Sequence, residues 1–367
     1  MNIDHILKDY DLSNLTIGVL GGHSGLEVCA GAKKYGFKTL AVVQKGREKT
    51  YSKYYASNQD GTGCVDEVMV LDSFADISKP EVQAELRKRN TIFIQNRYFW
   101  VYCNFKEIEQ SFQVPIYGSR ELLKLEERDH PENQYLMLEK GGIRIPKIFS
   151  NYKEIDRLAI VKVNEAYRKY ERAFFVVTST EQFEQESKLR IESGLITQED
   201  LNKATIEEFI TGAQVNFNYF YSPLTDRLEL MGTDMRRQTS LDGFLRLDAE
   251  TQLKVLQTGY KPSMVETGHV AVTVKESLLE KAFEAGEKFL KVSNIIGPFA
   301  LQGAIAADKG NEEIVVFDVS MRIPGSPGTA YTPYTRYLYG ENLSYGERIA
   351  QEIKLAIEQE KLNLLLT

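Results

Sequence analysis

Nothing in this sequence approaches the roughly 20 consecutive apolar residues that a membrane-spanning helix needs. Its opening, MNIDHILKDYDLSNL, also lacks the basic and apolar pattern of a secretion signal. A cytoplasmic location with no membrane partner is the expectation. Cysteine is scarce: Cys29, Cys64 and Cys103 are three in number and far apart, which suggests neither a disulfide framework nor a CxxC zinc site. They read as buried or incidental thiols. The four histidines, His5, His23, His130 and His269, show no H-E-x-x-H spacing, which argues against a transition-metal cluster. Positive charge is not in excess either. With 45 basic and 52 acidic residues the formal charge is -7, which disfavours general binding to nucleic acid backbones and leaves only local basic pockets open. No internal repeat or low-complexity tract is visible.

What is present is ordinary globular material, 43% hydrophobic and 26% charged, in a chain of 367 residues that should divide into two or three domains. Residues 15–20 (LTIGVL) read as a buried strand, 21–25 (GGHSG) as a turn, 26–35 as a helix and 39–43 as a second strand. The pattern continues through VDEVMVL, a helix near 80–89 and TIFIQ, predicting a doubly wound α/β domain whose ligands lie beyond the C-terminal ends of its strands. After Gly118 strands and helices mix without strict alternation. AIVKV, RAFFVVT, IEEFI, QVNFNYFYS and RLELMGTD predict an α+β region containing an antiparallel meander. The helical periodicity of 344–361 predicts a helix packed on the outside.

Near the C-terminus the run IVVFDVSMR places an acid, a hydroxyl and a guanidinium at alternate positions, so Asp318, Ser320 and Arg322 share one strand face. Carboxylate and hydroxyl oxygens suit Mg²⁺, and arginine suits phosphate. In isolation the same pattern is better read as a polar strand face. It is not isolated. A strand lysine, Lys162, needs an anion, which an ATP phosphate would supply. Glu207, in IEEFITG, can accept from ribose hydroxyls while the adjacent backbone reads adenine. Gln302, on a strand beside Asp318, completes an order matching an ATP-grasp site.

At these residues, and over almost its full length, the chain resembles the archaeal formate-dependent ligases that convert 5-aminoimidazole-4-carboxamide ribonucleotide (AICAR) to its formamido derivative in purine biosynthesis. The resemblance rests on GGHSGL, LDSFADI, FQVPIYGSR, IEEFITG, NFNYFYSPL, IGPFALQ, VFDVSMRI and LSYGERIAQEIK. It implies α/β plus α+β architecture: a substrate-binding pre-ATP-grasp domain (1–118), a linker and small subdomain (119–206), and a large subdomain with the metal site and C-terminal helix (207–367). It implies ATP, formate and AICAR as substrates, Mg²⁺ or Mn²⁺ as cofactor, formyl phosphate as intermediate, and a homo-oligomer. By the same resemblance His23 and Arg322 are catalytic. Gly22, His23, Ser24, Asn96, Tyr98 and Arg120 bind the ribonucleotide. Lys162, Glu207, Glu208, Phe209, Ile210 and Gln214 bind ATP, and Gln302, Ser320 and Asp318 hold the metal.

Two segments and one residue depart from the family pattern. Where relatives carry a glycine-rich PGARGGRGY-type loop, residues 164–172 read NEAYRKYER, either a charged lid using Arg168, Lys169 and Arg172 or a solvated hairpin. Where relatives show a PHGSF-like sequence, residues 95–99 read QNRYF, with Arg97 either an extra anion contact or a surface residue. Asp318 stands where relatives favour glutamate. Two alternatives therefore stay open beside the AICAR ligase: a paralogous ligase for another amine and carboxylate, and a nucleotide-binding partner without turnover. The aromatic cluster at 331–339 reads as either an interface or packing over the substrate pocket.

Overall fold

The computed structural model describes residues 3–127, 130–163, 174–239, 243, 246–258, 264–308 and 311–367, so the segment 164–172 lies outside the described residues. Apolar, β-branched runs form the first sheet: β1 (Thr16–Leu20), β2 (Lys38–Gln44), β3 (Glu67–Leu71), β4 (Thr91–Ile94) and β5 (Ile116–Tyr117). All pair in parallel, in the order β3-β2-β1-β4-β5. The chain leaves β1 to opposite sides, toward β2 and toward β4. That switch point brings the turn after β1 and the turn after β4 together at one crevice.

A small antiparallel sheet follows, built from β6 (Ile148–Phe149), β7 (Ala159–Lys162), β8 (Phe174–Val177) and β9 (Thr205–Glu208) in the order β6-β9-β7-β8. The limit expected after residue 206 falls within β9. The large sheet contains β10 (Ala213–Ser222), β11 (Arg227–Thr239), β12 (Met264–Val272), β13 (Gly297–Asp308) and β14 (Asn311–Ser320), antiparallel in the order β12-β11-β10-β13-β14. Strand alternation gives it two unlike faces. Val215, Phe217 and Tyr219 join Phe299, Leu301 and Val319 in a core against the helix Leu279–Ser293, where the Tyr219 hydroxyl donates to the Ala282 carbonyl at 2.7 Å. Asn216 and Asn218 point the other way.

The C-terminal helix, Tyr345–Glu358, starts with a capping box made by Ser344 and Glu347. It does not pack on the outside as its amphipathic period suggested. Beside the stripe Tyr345, Arg348, Ile349, Glu352, Ile353 and Ala356, the flanking Gly346 and Ala350 are also buried, so the covered face is broad, and the helix lies against the Gly25–Lys34 helix of the first domain. The two backbones touch at glycines. A Cβ on Gly31 would sit 2.0 Å from the Gly346 carbonyl carbon, and one on Gly346 would sit 2.0 Å from the Glu27 oxygen. Past the helix, Leu366 bridges to Tyr117 while Thr367 exchanges backbone bonds with Ile116, so the chain end covers the edge strand β5.

This contact predicts a directional result. Gly31→Ala and Gly346→Ala should each destabilise the protein by about 1–3 kcal/mol through overpacking, read as a lower urea midpoint. Gly328→Ala, where the nearest atom would be 3.8 Å away, should leave the midpoint unchanged.

Candidate active site

At the switch point, the turn after β1 is held by close contacts that exclude side chains. A Cβ on Gly21 would meet Val43 at 2.4 Å, and Gly22, at φ +145°, lies under the Tyr98 ring, where a Cβ would meet the ring at 2.1 Å. Ser24 donates its hydroxyl proton to the Pro324 carbonyl at 2.8 Å, tying this turn to the segment that leaves β14. The Ser24 oxygen is therefore left to accept from His23 Nδ1, 3.1 Å away, and His23 keeps Nε2 as an acceptor. Burial, reinforced by Arg322, Arg97, His269 and Arg236, pushes the His23 pKa down to about 2. Burial and the surrounding arginines thus favour the neutral ring at His23.

The polar face of the large sheet forms the opposite wall. Register pairs set Asn216 beside Asp234 and Gln302, Arg236 beside His269, Gln302 beside Asp318, and Ala300 beside Ser320. His23, Arg236, His269, Gln302, Ser320 and Arg322 line a cleft with about 250 Å³ of empty space. Asp234 is fully buried beneath it and accepts from Asn216 at 3.0 Å, from Asn218 at 2.6 Å and from His269 Nδ1. In the cleft Arg236 Nε and Arg322 Nε are buried with no hydrogen-bond partner, as is Arg120 Nε away from it. Arg322 meets Glu126 only at 3.6 Å, and burial lowers its pKa although that carboxylate opposes the shift. Buried N–H donors without acceptors in a concave, cationic site call for an anion.

On the nucleotide side, Lys162 and Glu207 are buried and paired with each other. Lys162 also donates to the Tyr135 hydroxyl at 3.3 Å, and that hydroxyl donates to Glu207 at 2.8 Å. Glu208 accepts from Arg144 at 3.0 Å and from the Lys147 amide at 3.1 Å. Phe209 is exposed and its amide donates to the Leu158 carbonyl; Ile210 is half-buried and Gln214 exposed. Gln302 donates to Ser320 at 3.0 Å, which turns its amide oxygen away from Ser320, and one Asp318 oxygen accepts from Gln134 at 3.0 Å. One carboxylate, one amide oxygen and one hydroxyl are hard donors of the kind Mg²⁺ takes together with phosphate oxygens. Among the described residues no cluster of three or more His, Cys, Asp and Glu could hold a metal alone.

The structure thus gathers His23, Gln302, Ser320 and Arg322 at one cleft, with Ser24 buried behind His23. It does not bring Arg120 there. That guanidinium is buried and clamps the carbonyls of Ile108, Phe112, Val114 and Thr367 at 2.5–3.1 Å, a structural duty that corrects its assignment to the ribonucleotide. Asn96 is corrected in the same way: fully buried, it bonds the Leu20 carbonyl at 2.9 Å and caps the Arg97–Tyr102 helix. Tyr98 packs on Gly22 and edge-on to Phe74 and Tyr102. In the aromatic cluster Tyr334 is core, while Tyr331 and Tyr337 are 85% and 71% exposed, and none of them lines the cleft. Sequence reasoning missed Asp234, Arg236 and His269. The alternation in TDMRR and GHVAV carried a signal, since it sets these residues opposite the apolar positions.

Two families of undescribed function match the chain, DUF1246 (protein of unknown function) over residues 17–149 and DUF1297 (domain of unknown function) over 182–367. The 5-formaminoimidazole-4-carboxamide-1-(beta)-D-ribofuranosyl 5'-monophosphate synthetase of Methanothermobacter thermautotrophicus is 37% identical over 370 residues, covering 99% of this chain and 97% of that one. A crystal structure of the IMP biosynthesis protein PurP from Thermococcus kodakaraensis superposes with a TM-score of 0.68 at 26% identity, covering 96% of this chain and all of that one. Phosphoribosylglycinamide synthetase from Anaerococcus prevotii shares the fold alone, with a TM-score of 0.55 at 16% identity over 92% of this chain and 75% of that one. The fold is ATP-grasp preceded by a doubly wound domain, and the chain belongs to the family of the archaeal 5-formaminoimidazole-4-carboxamide ribonucleotide synthetases.

Proposed function

We propose that this chain is an ATP-dependent ligase that formylates the exocyclic amine of AICAR with formate, through formyl phosphate. The observation carrying this reading is the pair of unpartnered guanidinium nitrogens, Arg236 Nε and Arg322 Nε, beside the hard-oxygen set of Gln302, Asp318 and Ser320. Carboxylate oxygen is a poor leaving group, and transfer of a phosphoryl group to formate makes it a good one. Arg322, at the end of β14, supplies charge to the group in transfer. Gln302, Asp318 and Ser320 would hold Mg²⁺, whose contribution is to neutralise phosphate charge. Lys162 exchanges its bond to Glu207 for an ATP phosphate, and the freed carboxylate is then available to ribose hydroxyls. Neutral His23 offers Nε2 to a donor of the ribonucleotide without attracting the phosphates to itself. Formyl phosphate hydrolyses readily, so the narrow cleft between the two domains serves to keep water away.

The reading predicts ADP release that requires formate and AICAR together, with the formamido product formed in equal amount; no ADP at saturating substrates would sink it. Asp318→Asn should lower turnover at fixed Mg²⁺ at least ~10-fold and be partly rescued by more Mg²⁺, and an unaltered Mg²⁺ dependence would remove Asp318 from the metal site.

Lys162→Met should cost about 3–5 kcal/mol of stability, because it leaves the Glu207 carboxylate buried without its cation. The double variant Lys162→Met/Glu207→Gln should recover most of that stability and none of the ATP use, measured by urea titration and nucleotide calorimetry.

His23 gives a pH signature. The unfolded chain binds its proton near pH 6.5 and the folded one only near pH 2, so the unfolded state takes up the extra proton between those values. Its contribution to stability is therefore complete above pH 6.5 and declines as pH falls below it. A His23→Asn variant should lose less stability than the parent between pH 7.5 and pH 5.

A further inference from the structure

We infer that His269, held by Asp234, accepts the proton that the attacking amine gives up, a role that rests on the ligase reading above. Amide formation requires this step. As the amine lone pair forms the new C–N bond, the formyl C–O bond to phosphate breaks and the nitrogen must shed one proton. The phosphate leaves with the C–O electron pair, and the proton passes from the base to the released phosphate or to water, so no further reactant is needed.

Two imidazoles face the cleft, and their partners divide the work between them. His23 Nδ1 rests on a hydroxyl that is itself committed to Pro324, and three arginines act against any positive charge on its ring. His269 Nδ1 rests instead on the Asp234 carboxylate. Because a carboxylate only accepts, Nδ1 carries the hydrogen and Nε2 keeps its lone pair. A proton taken at Nε2 creates an imidazolium directly against a buried anion, as in triads where an acid orients a histidine base. Asp234 has no freedom to turn away, since Asn216 and Asn218 hold both its oxygens.

Among the described residues the surroundings of His269 are otherwise cationic or neutral. Arg236 is its register partner on β11, and His23 and Arg322 lie across the cleft. The segment Pro327–Tyr331, whose Gly328 approaches Ala271, brings no charge. In the sheet, β11 and β10 separate His269 from the metal-site strand β13. Its carboxylate is thus a dedicated partner, and Asp234 is the positioning residue of the pair.

The test uses the full chain with ATP, Mg²⁺, formate and AICAR. His269→Gln should lower kcat by ~10²-fold or more, leave KM for AICAR within about threefold, and abolish the acidic limb of the kcat profile. His269→Ala should regain turnover in proportion to added imidazole base. Asp234→Asn should show a comparable kcat loss, because its amide can donate to Nδ1 and reverse the tautomer. Should that buried variant fail to fold, His269→Gln decides alone, with its urea midpoint as the folding control. A His269→Gln enzyme with kcat within threefold of the parent, or one that loses only KM, overturns the assignment. If instead the parent enzyme releases no ADP with formate and AICAR, it is the ligase reading that fails.

Discussion

The geometry of the cleft depends on the packing of the Tyr345–Glu358 helix between the two domains. On one side that helix meets the Gly25–Lys34 helix backbone to backbone. On the other it sends Arg348 to Glu229 of β11, with bonds of 2.8 and 3.0 Å, and to its own Glu352 at 2.7 Å. Burial acts against the Arg348 charge, yet the hydrogen bonds to Glu229 prevail and hold its pKa above the usual value. Arg227, 3.1 Å from Glu229, brings the cluster to two cations and two carboxylates. The buried members of such a network, Arg348, Glu229 and Glu352, add little net stability over apolar packing, but an unmatched one is costly, so the network favours one register over its neighbours. Since the same helix fixes the turn after β1 against β11, it sets His23 and Ser24 opposite Arg236 and Arg322.

Two solutions to anion binding stand side by side. At Lys162 the charge is already balanced by Glu207, and Tyr135 bonds to both. A phosphate arriving there replaces an existing partner, so the gain is the difference between two ion pairs. At Arg236 and Arg322 donors are left without acceptors, and a ligand anion there removes a standing desolvation cost. The first arrangement allows a buried lysine to fold without nucleotide. The second keeps its unmet demand where the chemistry needs negative charge gathered.

Much of this was legible in the sequence because it is local. The alternation of QVNFNYFYS gave both the core and the polar face of β10, and D-x-S-x-R placed Asp318, Ser320 and Arg322 on one side of a strand. Contacts distant in sequence were not legible. Nothing near Asp234 indicates that its partners lie 18, 16 and 35 residues away on two other strands. Arg120 stands in a charged run and looked like a ligand contact, whereas its place is fixed by carbonyls that converge only in the folded chain. An amphipathic period in the last helix described one buried face. It did not register that polar positions such as Arg348 and Glu352 are also buried, as they are when a helix lies between two domains.

The segment 95–99 has a rationale in the same terms. Asn96 uses its amide as carbonyl clamp and helix cap, which fixes the start of the Arg97–Tyr102 helix beside the end of β1. That start delivers the Tyr98 ring onto Gly22, a position at φ +145° where no side chain would fit. The turn after β1 is therefore pressed from one side by Tyr98 and held from the other by the Ser24 bond to Pro324. His23 stands between these restraints, its ring against Gly325, with its tautomer set by Ser24. The packing of Tyr98 thus adds a constraint on the turn that carries His23, and the acceptor at His23 is oriented by shape.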